Sequence, residues 1–147
     1  MLIKFILYIL ISSLFIAQAE IHIEGADGWA SKLPTWKIKN KFTKLILGNT
    51  KFLTGYHLYF WSSIFVLLHS SFIITGWNLQ KELILVSCFF LLTSTEDFLW
   101  FVLNPHFGIK KFKKEYIPWH QSWFGPLPTG YYLSTAIAVL LLYLSGV

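Results

Sequence analysis

The segment from residue 83 to residue 108, LILVSCFFLLTSTEDFLWFVLNPHFG, decides the fold of this chain. Its apolar part, residues 83–103, is long enough to cross a bilayer as a helix, which takes ~20 residues for ~30 Å of hydrocarbon. The helix is expected to end at Asn104, because the proline that follows disfavours helical backbone in the residue before it. Two adjacent acids, Glu96 and Asp97, lie inside the apolar run, ~12 Å from its end.

Three further apolar runs indicate a membrane protein. Of the 147 residues, 55% are hydrophobic and 13% are charged, whereas soluble domains carry about 25% charged residues. We predict a single all-α membrane domain, residues 1–147, built as a small bundle of four transmembrane helices. The predicted helices cover about 2–19, 52–76, 83–103 and 127–144, and amphipathic, aromatic-rich loops cover 20–51 and 104–126.

The basic residues predict an orientation. All twelve are lysines, and ten of them lie in the loops 20–51 and 104–126. With four spans these loops share one side of the membrane, and the positive-inside rule makes that side cytoplasmic. We therefore predict a multi-pass protein of the plasma (inner) membrane with both termini outward. The net charge of +5 is attributed to orientation and to contact with the lipid bilayer rather than to nucleic acid.

The first apolar run has a second interpretation. Residues 1–20, MLIKFILYILISSLFIAQAE, contain a lysine, an apolar stretch and an Ala-Gln-Ala ending, as a cleavable signal peptide does. Cleavage would leave ten of the twelve lysines outside, against the positive-inside rule. This favours a retained first helix, while the sequence alone leaves both interpretations open.

The acids of the third span need a compensating positive charge. A carboxylate at the bilayer centre costs about 2.5 to 3.5 kcal/mol on insertion scales. The five consecutive polar residues 93–97 also cover the whole circumference of a helix at ~100° per residue, so that no single neighbouring helix can shield them all. A proton, a lysine, a protonated histidine or a metal cation could supply the charge.

Histidines and a further acid are expected at the same end of the bundle. His57 begins the second span, His106 and His120 lie in the second loop, and Glu24 follows the first span. Carboxylates and imidazoles suit a divalent metal such as Zn, Fe or Mn, and a chain with one cysteine offers no thiolate cluster. The spacing matches no established metal motif. The expected metal ligands are His57, Glu96, Asp97 and His120, followed by His106 and Glu24, and the expected catalytic residues are Glu96, Asp97 and His120.

Three functions fit these features. The first is a metal-dependent hydrolase or oxidoreductase that acts on an amphipathic or lipid-like substrate at the cytoplasmic membrane surface. The second is an ion or proton transport component that uses Glu96 and Asp97, for which a homo-oligomer would supply a larger pathway. The third is a membrane scaffold or assembly protein whose polar residues hold helices together.

Overall fold

The computed structural model describes residues 2–49 and 51–146 and is mostly helical. Two short antiparallel strand pairs lie in the loops: β1 (Lys37–Ile38) pairs with β2 (Leu53–Thr54), and β3 (Trp123–Phe124) pairs with β4 (Leu127–Pro128). A single 3-10 turn covers Ile109–Lys111. The described helices are α1 (Leu2–Glu24), α2 (Lys41–Leu47), α3 (Gly55–His69), α4 (Ser71–Thr75), α5 (Leu79–Leu103) and α6 (Thr129–Leu144).

Within residues 2–49 and 51–146, three helical segments are long and apolar enough to cross a membrane. They are Ile3–Glu24, Gly55–Thr75, which comprises α3 and α4, and Leu79–Leu103. This confirms a helical chain with membrane-length segments. The sixth helix is apolar but has 16 residues, which gives ~24 Å at ~1.5 Å per residue. The fourth crossing therefore remains a prediction.

The helix ends differ from the predicted bounds in a way that matters for the site. The first helix continues to Glu24 rather than ending at residue 19, so Glu20 belongs to its last turns and not to a loop. The third helix begins at Gly55, after Thr54, whose hydroxyl accepts a hydrogen bond from the backbone N–H of His57. Such a cap satisfies an N–H group that the first helical turn leaves free.

The fifth helix is the centre of the bundle and packs against α1 and α6. Serine hydroxyls join these helices by donating to backbone carbonyl oxygens of a neighbour: Ser13 to Leu92 at 3.1 Å, and Ser87 to Ala138 at 2.9 Å. Small residues at such contacts let helix backbones approach closely. The bundle is thus held together by small polar residues that are already satisfied.

The two loops pack over one end of the bundle, which we call the lysine-rich end. Asn104, at the end of α5, donates from Nδ2 to the carbonyl oxygen of Gly25, just after α1, at 2.8 Å. Trp119 stacks on Phe101 with a centroid distance of 5.9 Å. Ile117 is completely buried beside this pair in the main apolar core. The ends of α1 and α5 are therefore fixed relative to each other, and both carry acids.

Candidate functional site

A cavity of about 300 Å³ opens at the lysine-rich end, between α1, α3 and α5. We call it the polar cavity. Its wall combines acids and one imidazole with a nearly continuous aromatic surface. The lining residues are Glu20, Glu24, Gly28, Trp29, His57, Trp61, Phe89, Thr93, Glu96, Asp97, Trp100, Phe101 and Trp119.

Two acids reach the cavity from the last turns of α1. Glu20 and Glu24 are four residues apart, a spacing that places both on one face of a helix. Glu20 is buried and accepts a hydrogen bond from the Tyr56 hydroxyl at 3.1 Å. Its carboxyl group also approaches that of Glu96 on α5 closely enough for a hydrogen bond. Since two ionised carboxylates cannot share one position, a proton or a cation must lie between them.

Glu96 is the most deeply buried acid of the site, with 2% of its surface exposed. Among the residues that the structure describes, its Oε1 has no hydrogen-bond partner. The same holds for Nε1 of Trp100, one helical turn further along α5. Both residues line the cavity. A buried acceptor and a buried donor without partners each carry a desolvation cost of about 1 to 3 kcal/mol, which a bound ligand would remove.

Glu24 is held by the loop that follows α1. Its Oε1 accepts a hydrogen bond from the backbone N–H of Ala30 at 2.5 Å. Trp29 and Ala30 both have a positive φ, 50° and 49°, a left-handed conformation that is uncommon outside glycine and concentrates at functional sites. The backbone of the loop is therefore strained at the residues whose conformation directs the N–H of Ala30 toward the Glu24 carboxylate.

His57 faces Glu24 across the cavity. Its Nε2 lies 3.5 Å from Oε1 of Glu24, and its Nδ1 is hydrogen-bonded to the Thr54 hydroxyl at 2.7 Å. The ring is stacked on Trp29, with the ring centroids 4.3 Å apart. One ring nitrogen is therefore held by a partner and the other is turned to the cavity, as in histidines that bind metals.

Asp97 has different neighbours from Glu96. Its Oδ2 lies 2.9 Å from Nε2 of His120 and also accepts a hydrogen bond from the Tyr131 hydroxyl. Adjacent residues of a helix point ~100° apart, so Asp97 faces α6 and the second loop while Glu96 faces α1. The carboxylate and the imidazole form a pair of the kind used as a general base.

Lys51 supplies a positive charge beside the site. Its ammonium lies 3.9 Å from the centroid of the Trp29 ring, within cation–π range. Burial lowers the pKa of Lys51 from its usual 10.5, and the Asp97 carboxylate opposes that shift. In the described part of the chain, the cavity is thus lined by four carboxyl groups, those of Glu20, Glu24, Glu96 and Asp97, and has one lysine beside it.

The structure gathers most of the predicted residues. Glu24, His57, Glu96 and Asp97 line the cavity, and His120 is attached to it through Asp97. His106 lies elsewhere, exposed after the end of α5. In residues 2–49 and 51–146, no group of three or more His, Cys, Asp or Glu side chains is close enough together to hold a metal ion.

Three residues of the site were missed by the sequence analysis: Glu20, Tyr56 and Tyr131. Glu20 would have been found from its spacing of four to Glu24 if the first helix had been extended through the polar residues after Ala19. The two tyrosines carried no signal, because an aromatic belt at the membrane interface explains tyrosines at such positions equally well.

Comparison with known proteins gives no relative with which this site could be compared. No family model, curated protein or solved structure matches the chain.

Proposed function

We propose that this protein is a membrane enzyme that depends on a divalent cation bound in the polar cavity. Glu20, Glu24, His57 and Glu96 would hold the cation. The observation that carries the proposal is the contact between the buried carboxyl groups of Glu20 and Glu96, with Oε1 of Glu96 lacking a partner among the described residues. Two such acids need a proton or a cation between them, and the ammonium of Lys51 lies over the Trp29 ring rather than between the two carboxyl groups.

The donor set supports a cation over a single shared proton. Carboxylate oxygens and imidazole nitrogens suit Zn²⁺, Mn²⁺ and Fe²⁺. Two of the donors already have outer partners, Ala30 on Glu24 and Thr54 on His57, and such partners orient metal ligands. Because the side chains do not form a closed set as they stand, binding would include rotation of the carboxyl groups.

The Asp97–His120 pair would act as the general base or acid. A divalent cation held there would supply a Lewis acid that could polarise a substrate oxygen or activate water. Asp97 would orient the imidazole through its hydrogen bond to Nε2, while the Tyr131 hydroxyl holds the carboxylate in place. The aromatic residues of the wall make the surroundings of the acids less polar than water, which strengthens electrostatic interactions inside the cavity.

Two alternatives receive less support. A scaffold whose polar residues only hold helices together would leave Oε1 of Glu96, unpaired in the described structure, without a role. Serine hydroxyls also join α1, α5 and α6. A transport component would need titratable groups along the bilayer, whereas the acids of the cavity belong to one end of the bundle.

Metal analysis of the purified protein tests the proposal. Wild type, Glu96→Gln and Glu82→Gln are purified in detergent and analysed for bound metals, and Mn²⁺ binding is followed by the loss of the free-ion EPR signal. Glu82 is the matched control, because it lies on the same helix and bonds to His69 at the opposite end. We expect stoichiometric metal in wild type and in Glu82→Gln, and a loss of at least about tenfold in affinity in Glu96→Gln.

Two results would overturn the proposal. The first is a monodisperse, folded wild type that neither retains metal nor binds added Mn²⁺, Zn²⁺ or Fe²⁺. The second is equal binding by wild type and by Glu96→Gln. Proton or ion flux through reconstituted vesicles that is lost in Glu96→Gln would favour the transport alternative.

A further inference from the structure

A second cavity, of about 630 Å³, lies beside α3 and is almost entirely apolar. We call it the apolar groove. Leu58, Phe65 and Val66 of α3 form one wall, and Phe89 of α5 contributes to the other. From His57 to Val66 the groove follows α3 for nine residues, or ~14 Å.

The groove and the polar cavity adjoin each other. Trp29, His57, Trp61 and Phe89 line both of them. His57 and Trp61 are one helical turn apart, so the same face of α3 changes from polar to apolar along its length. A molecule that extended through both would meet acids and an imidazole at one end and only hydrocarbon and aromatic surface at the other.

The groove is open toward the region where lipid would lie. The third helix packs against the fifth mainly through Phe89, whose ring centroid lies 6.0 Å from that of Trp61 and 5.1 Å from that of Phe65. Val66 at the edge of the groove is 67% exposed. A hydrocarbon chain could therefore enter sideways from the bilayer without passing through water.

We propose that the substrate is a single-chain amphiphile taken from the bilayer, with its hydrocarbon chain in the apolar groove and its polar head in the polar cavity. This rests on the proposed function for the chemistry at the head. The free N–H of Trp100, on a residue that is 4% exposed, would donate to an oxygen of the head group. A fully polar substrate would leave the groove without a role, and a chain without a polar head would leave that N–H unpaired.

Photo-crosslinking tests the groove. The probe is palmitic acid with a diazirine at its terminal carbon, added to the protein in vesicles and located by mass spectrometry. We expect labels on α3 between residues 58 and 66 and on Phe89, and we expect excess palmitic acid to suppress them. Labels on the outer face of α6, where Leu133 and Leu140 are exposed, report ordinary lipid contact and should persist.

Two tryptophan substitutions separate the groove from the lipid-facing surface. Ser62→Trp fills the groove, because Ser62 lines it. Ser63→Trp adds the same side chain to the neighbouring residue, which lies in a different depression beside Tyr59. We expect Ser62→Trp to reduce the competable labelling about tenfold and Ser63→Trp to leave it unchanged.

Labelling that is uniform over the lipid-facing helices, or that is equal in Ser62→Trp and wild type, would overturn the inference. Metal content, measured on the same samples, tests the proposed function separately. If the wild type holds no metal but is labelled specifically in the groove, the enzyme proposal is wrong and the inference that the groove binds a hydrocarbon chain stands. Metal binding with no specific labelling removes the groove and keeps the enzyme.

Discussion

At the residue scale, Glu96 and Asp97 show how two adjacent acids acquire different roles. A rotation of ~100° between neighbours on a helix turns Glu96 toward Glu20 and Asp97 toward His120 and Tyr131. Glu96 is left with an unpaired oxygen in the described structure, whereas Oδ2 of Asp97 is hydrogen-bonded to both His120 and Tyr131. The first acid is therefore suited to bind a ligand and the second to orient a base.

A glycine of the site gives a test of its packing. Gly28 has a φ of 59°, and a Cβ at this position would lie 3.0 Å from the Trp119 ring and 3.1 Å from the Trp100 ring. We expect Gly28→Ala to lower the free energy of unfolding by more than the about 1 to 2 kcal/mol that a left-handed alanine costs, because the ring contact adds to it. Denaturation of the detergent-solubilised protein measures the loss.

Gly25→Ala is the matched control. Its φ is 67°, but a Cβ at this position would have no described atom within 4 Å, so this variant should show the backbone cost alone. If Gly28→Ala and Gly25→Ala lowered the free energy of unfolding equally, the Trp100 and Trp119 rings would have moved aside without cost. That result would contradict close packing at this wall of the cavity.

At the scale of the elements, the site depends on where α1 ends. The residues of α1 beyond its predicted end carry Glu20 and Glu24 into the bundle, and the bond from Asn104 to Gly25 fixes those turns against α5. The carboxyl groups of two helices are thereby brought together. The pairing of α1 with α5 also includes apolar packing of Ala17 and Ile21 against Trp100 and Phe101 and a hydrogen bond from Ser13, deeper in the bundle.

Ser13 provides the prediction for helix pairing. Its hydroxyl is buried and donates to the carbonyl oxygen of Leu92 on α5. We expect Ser13→Ala to lower the free energy of unfolding by about 0.6 kcal/mol, the average for polar contacts between membrane helices, and by at most about 1.7 kcal/mol. Denaturation in mixed micelles gives the value.

Ser12→Ala removes the same hydroxyl from the neighbouring residue, which is only partly buried. This control should remain within about 0.5 kcal/mol of wild type. If the two substitutions had the same effect, the α1–α5 contact would not depend on Ser13.

At the scale of the whole molecule, the two ends of the bundle differ in chemistry. The lysine-rich end contains the polar cavity, the strand pairs and the two folded loops. At the opposite end, His69 and Glu82 form an ion pair with 3.1 Å between Nε2 and Oε1, and Gln80 donates to the carbonyl oxygen of Ser145 at 2.7 Å. The predicted orientation, with the loops on the cytoplasmic side, stays a prediction that these two ends allow to be tested.

Cysteine labelling tests that orientation. In a Cys88→Ser background, single cysteines replace Lys39, Glu115 or Trp77, and intact cells are treated with a membrane-impermeant maleimide. We expect Trp77→Cys to react directly and the other two to react only after the membrane is opened, because both loops belong to the lysine-rich end. Different behaviour of Lys39→Cys and Glu115→Cys would contradict the common placement of the loops.

The sequence by itself determined the helical membrane character, because apolar length and composition are local properties. It also predicted that Glu24, His57, Glu96, Asp97 and His120 belong to one site, since an acid in an apolar run is costly wherever the helix packs. The structure brings these side chains together, and their binding and catalytic roles stay predictions. Only the tertiary structure added Glu20, placed His106 outside the cavity and placed the apolar groove beside it. These outcomes depend on how the loops fold back and where α1 ends, which are set by contacts between residues as far apart as Gly25 and Asn104.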